Sequence, residues 1–122
     1  MLRRKVRCEE GFTLVELLVV MIIIAVLVSI AAVFHYGARE RASDATAKAN
    51  IRTAVPAIEA YRGDFDGYAG MDLATLKSTY SPGIGSIVVE WSAPDDYCIS
   101  STVGNRSWWK QGPSGAITMT SC

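Results

Sequence analysis

Between Leu14 and Phe34 the chain carries only two polar side chains, Glu16 and Ser29. A helix over residues 12–34 would span about 34 Å, enough for a bilayer core. This run decides how roughly the first third of a 122-residue chain begins to fold, although it makes up less than a fifth of that chain. It also poses a problem, because a carboxylate in such a helix costs roughly 2.5–3.5 kcal/mol at the bilayer centre. A side chain held at that cost is expected to serve a purpose.

Ahead of the run lies a short leader with Arg3, Arg4, Lys5 and Arg7, followed by Glu9 and Glu10. Basic-then-apolar is the order of a secretory signal, but an apolar stretch of about 20 residues exceeds the usual 7–15. Ser29-Ile30-Ala31-Ala32 only weakly imitates a cleavage site. A single-pass anchor with its N-terminus inside accounts for the length and the basic flank. It leaves Glu16 unexplained and gives Gly11-Phe12 no role. Over the whole chain 12 basic residues balance 12 acidic ones, so net charge points to no nucleic acid or acidic partner.

The stretch Gly11-Phe12-Thr13-Leu14-Val15-Glu16 resembles the processing site of type IV prepilins and of the related type II secretion pseudopilins. The resemblance implies that a membrane aspartic peptidase cuts between Gly11 and Phe12, and that the same enzyme N-methylates Phe12. It implies an α+β fold, with one long N-terminal helix packed on a small antiparallel sheet. It further implies self-assembly into a helical filament, extracted from the inner membrane by a platform and an ATPase. The precursor then sits in the bacterial inner membrane with its N-terminus cytoplasmic, and the assembled subunit sits at the cell surface. Cleavage frees a cationic amine at Phe12, with Glu16 four residues on and on the same helical face. A glutamate of one chain meeting the amine of another offsets the cost of burying either charge, which gives Glu16 a role in subunit registry. Other readings are a pseudopilin, a DNA-uptake pilin, and a membrane-anchored binding domain that never polymerises.

The expected organisation is a leader over 1–11, a helix over 12–62 and a C-terminal part over 63–122. Eight alanines between residues 38 and 60 favour helix. Ile51, Ala54, Val55, Ile58 and Tyr61 form an apolar stripe that should carry the sheet, with Arg52 and Glu59 off it. Gly37 and Pro56 are the candidate hinges, and Pro56 is expected to bend the helix or break its bonding. Many pilins carry a proline or glycine midway along the apolar segment; residues 12–36 have neither.

Residues 62–86 read as a connecting loop, with Asp72 capping a short helix over Leu73–Tyr80. Strands are expected at Ile87–Trp91, Tyr97–Val103, Ser107–Lys110 and Ala116–Thr120, joined as an antiparallel meander. A cytoplasmic leader keeps Cys8 reduced, while Cys98 and Cys122 lie in an oxidising space. The loop these two close would contribute about 3 kcal/mol. With Ile99, Ile117 and Met119 facing the helix, both cysteines fall on the opposite face. In a plain meander their strands stand about 9.6 Å apart, so the bridge is expected only with the chain end curling back.

The remaining motifs have ordinary readings. Arg62-Gly63-Asp64 reads as a turn, and Asp64-Phe65-Asp66-Gly67 lacks the further acidic ligands of a calcium loop. His35 and Tyr36 suit a membrane interface. Asn105-Arg106-Ser107 is a glycosylation sequon at a turn. Of Trp108 and Trp109, one ring should point inward and one outward. Single-stranded DNA stacking on these rings lacks clustered Lys and Arg. No catalytic set, metal cluster, cofactor motif or phosphate-binding loop is present, so no enzyme, metal or cofactor is expected.

Overall fold

The computed structural model describes residues 11–122. The leader residues Arg3, Arg4, Lys5, Arg7, Cys8, Glu9 and Glu10 lie outside the described residues. Helix α1 runs over Leu14–Phe65, and the chain divides into two compact units, one ending at Gly37 and the other Ala38–Cys122.

In the first unit every described side chain of α1 is exposed. This stretch is long and apolar enough to cross a membrane. Its start differs from the expected one, since Phe12 and Thr13 are not helical and α1 opens at Leu14.

In the second unit the helix buries Ala47, Ile51, Ala54, Ala57, Ile58 and Tyr61. Spacings of three and four keep these on one face, so Ala57 joins the expected stripe while Val55 sits at its margin. Helical structure is unbroken through Gly37 and Pro56, against the break expected at Pro56. Pro56 lies on the exposed face, so the Arg52 carbonyl that lacks an amide partner is on the solvent side. Water satisfies it there, and the helix continues. Arg62-Gly63-Asp64 is accordingly helical rather than a turn, and the helix ends three residues beyond Arg62.

The segment read as a connector contributes much of the core. Tyr68, Met71, Leu76 and Ile84 are all buried against the helix stripe, Tyr97 and Ile99, and so is Ile87, expected to open the first strand but lying just ahead of it. Tyr68 is held by its amide donating to the Pro94 carbonyl at 3.1 Å and its hydroxyl donating to Glu59 at 3.0 Å. Burial, then the Glu59 carboxylate, raises the pKa of that phenol. Asp72 caps helix α2 (Leu73–Thr75) by accepting from the Thr75 amide at 2.6 Å, which lowers its own pKa. The expected helix then widens into a π-helical turn over Leu76–Tyr80.

Four antiparallel strands follow in chain order, β1 (Val88–Ser92), β2 (Tyr97–Val103), β3 (Arg106–Gly112) and β4 (Ile117–Thr118). Gly104 has φ 63° at the first central position of the β2–β3 turn, where a two-residue hairpin needs positive φ. Tyr97, Ile99 and Ser101 pair with Gly112, Lys110 and Trp108, all on the helix-facing side of the sheet. The Tyr97 ring lies so close over Gly112 that a methyl there would overlap it. A bulge between Val89 and Trp91 interrupts the register of β1. Trp91 opposes Cys98 across the strands, and Glu90 accepts a hydrogen bond from Ser100 at 2.6 Å.

Cys98 and Cys122 are joined, with their Cα atoms 6.1 Å apart. The separation of β2 from β4 does not prevent this, because β4 is only two residues long and the tail recrosses β3. Met119, expected to face the helix, is past the end of β4 and 48% exposed.

Candidate functional site

The residues singled out by sequence gather at the start of α1. Gly11, Phe12 and Thr13 are exposed and non-helical, and α1 begins immediately after them. The Thr13 carbonyl accepts from the Leu17 amide at 3.2 Å, the first helical hydrogen bond. The Thr13 hydroxyl accepts from the Glu16 amide, also at 3.2 Å. Those two bonds make Thr13 the N-cap and Glu16 the third helical residue. Thr13-x-x-Glu16 is thus a capping-box sequence, with Phe12 and Leu17 at the two positions of a hydrophobic staple. Sequence reading passed over Thr13, although the four-residue spacing was there to find it.

The cap corrects the geometry expected for Glu16. Phe12 is not one helical turn below Glu16, because helical backbone starts only at Leu14. Glu16 instead occupies the first turn, where a carboxylate favours the positive end of the helix. Among the described residues its carboxylate receives no side-chain hydrogen bond.

In the second unit a polar clamp fastens α1 to β3. Asp44 accepts two hydrogen bonds from Arg106, at 2.8 and 2.9 Å, and one from the Trp108 indole at 2.9 Å. The Lys48 ammonium lies 3.8 Å from the centroid of the Trp108 ring. The bidentate guanidinium, then the indole N–H, hold the Asp44 carboxyl down at about 2. Asn50 adds a second polar tie, donating to Ser101 at 3.1 Å while Ser101 donates to the Ser86 carbonyl at 2.7 Å.

Of the adjacent tryptophans, Trp108 packs against the core and Trp109 takes the opposite face. There Glu90, Trp91, Cys98, Trp109, Ser121 and Cys122 line a shallow hollow beside the disulfide. Asp64 accepts from the Tyr80 hydroxyl at 2.7 Å, which pushes that phenol up to about 12. Among the described residues no three His, Cys, Asp or Glu side chains come together to hold a metal.

A capped start behind Gly11-Phe12 opens an exposed apolar helical stretch, and within the second unit α1 packs on a small antiparallel sheet. Residues 6–32 match the prokaryotic N-terminal methylation motif. Over 119 residues the chain is 34% identical to the type IV wide pilus major component PilA4 of Thermus thermophilus, covering 93% of this chain and 89% of that protein. The chain belongs to the type IV pilin family. It is a pilin, a structural subunit that self-assembles into filaments after processing by a prepilin peptidase. The precursor is anchored in a membrane by the apolar helix, and the family is in general structural rather than enzymatic.

Proposed function

We propose that this chain is the main subunit of a type IV pilus, cut between Gly11 and Phe12 and N-methylated on Phe12. The basic leader stays in the cytoplasm and the globular part faces outward. An ATPase-driven platform then draws the apolar helix from lipid into a bundle of neighbouring helices. There Glu16 of one subunit pairs with the Phe12 ammonium of the next. Gly37, in an open stretch of α1 and free of side-chain neighbours, is the hinge that adjusts the bundle to the globular layer.

The observation that carries this reading is the uncommitted Glu16 carboxylate in the first turn of α1, whose apolar stretch as far as Gly37 is exposed throughout. Pairing it with an amine lowers the cost of burying both in a bundle. N-terminal sequencing and mass spectrometry of the mature chain are expected to find methyl-Phe12. A retained Met1, or a cut near Ala32, would exclude filament processing. Glu16→Ala should insert in the membrane as the native chain does and yield few filaments by electron microscopy. Abundant normal filaments from that variant would exclude the registry role.

A further inference from the structure

Processing asks opposite things of neighbouring residues. A peptide bond is cut where its N–H and C=O are free to pair with a peptidase and its carbonyl carbon is open to water. In helical backbone those groups are tied along the axis to the next turn. A few residues later the chain must be helical, because lipid leaves backbone groups no other partner. The change occurs at Thr13, whose carbonyl takes the first helical bond while its hydroxyl satisfies the Glu16 amide.

We infer that Thr13 is a positioning residue for processing, because its cap starts α1 two residues after Phe12 and keeps Gly11–Phe12 in non-helical backbone. This rests on the reading that the cut falls between those two residues. The surrounding sequence makes a stop necessary. Glu9 and Glu10 precede the bond, and acidic residues favour the first turn of a helix, so the leader would accept helical propagation. Gly11 alone opposes it by roughly 1 kcal/mol. The cap adds a comparable bias, and together they hold the helix start behind the bond.

The reaction is a hydrolysis. The oxygen of water bonds to the Gly11 carbonyl carbon, the bond to the Phe12 nitrogen breaks, and that nitrogen takes up both of the water's protons. The products are a carboxylate at Gly11 and an ammonium at Phe12.

The test compares full-length precursor in membranes, treated with a prepilin peptidase, for the native chain and for Thr13→Ser, Thr13→Asp and Thr13→Val. Serine and aspartate cap as well as threonine or better, whereas valine keeps the shape and loses the acceptor. Thr13→Val is expected to show a lower kcat/KM, carried by KM, with about fivefold as the upper limit that ~1 kcal/mol of capping can produce. Thr13→Ser and Thr13→Asp should be cut at the native rate. In the uncut precursor, the Gly11 and Phe12 Cα chemical shifts should move toward helical values in Thr13→Val alone. A native chain not cut at Gly11–Phe12 would remove the processing reading itself. A native chain cut there, with Thr13→Val cut equally fast, overturns the inference and leaves that reading intact. Slow cutting of both Thr13→Val and Thr13→Asp overturns it too, since the peptidase would then read the hydroxyl directly. Slow Thr13→Val without the change in shifts has the same force.

Discussion

Replacing Cys122 by alanine opens the covalent loop and leaves Cys98 packed where it is. Cys98 is 1% exposed, so the variant creates no cavity beneath it. The residues after Thr118 are exposed, and β4 joins β3 through only two residue pairs. Little native contact is therefore at stake, and the loss should come from the unfolded chain. The cysteines are 24 residues apart, and releasing a loop of that size restores unfolded-state entropy worth about 3.5 kcal/mol. For a globular unit of this size that lowers the melting temperature by about 15–25 °C. The assay is urea and thermal unfolding of the full chain in a mild detergent, followed by tryptophan emission. All three tryptophans, Trp91, Trp108 and Trp109, lie in the sheet. The mechanism has a second signature. An unfolded chain without the bond exposes more surface, so the urea m-value should rise as the midpoint falls. A loss below about 1 kcal/mol, or an equal loss with m unchanged, would refute the unfolded-state account.

Ile58 is fully buried, and Ile58→Ala should destabilise the globular unit by about 2–5 kcal/mol in the same unfolding assay. The Asp44 clamp makes an acid-sensitive contribution. Its folded pKa of about 2 lies below the ordinary value of 3.8, so the stability it supplies is complete above pH ~4 and is lost as pH falls toward 2. Melting curves of the native chain and Asp44→Asn should therefore differ at neutral pH and converge across that window. Gly112→Ala sets a methyl against the buried Tyr97 ring and should cost about 1–3 kcal/mol, while Gly83→Ala, with open space around it, should be near neutral.

The parts of the fold legible in sequence are those with a local period. Ile51, Ala54, Ile58 and Tyr61 announce the buried helix face through their spacing, and alternation placed Cys98 opposite Ile99. The strand order followed from short connections. What escaped depends on distance along the chain or on backbone detail. Asp44 meets Arg106 across 62 positions, and no period links them. Tyr68 and Met71 enter the core from a segment whose glycines suggested only a connector. The effect of Pro56 turned on which face it occupies, which a breaker rule does not specify. Thr13 escaped for another reason, since a hydroxyl ahead of an apolar run marks a cap only once the helix is seen to start at Leu14.

The bulge in β1 and the brevity of β4 bear on a hazard peculiar to a self-assembling chain. These two strands are the borders of the sheet, where unpaired backbone groups can recruit a second sheet and begin a fibril of the wrong kind. At one border the irregular register after Val89 and the Glu90 carboxylate spoil a flat docking edge. At the other, two residues offer too little ladder, and the disulfide pulls the following chain away from it. In a subunit that self-assembles, amyloid-like stacking is thus discouraged at both margins of the sheet.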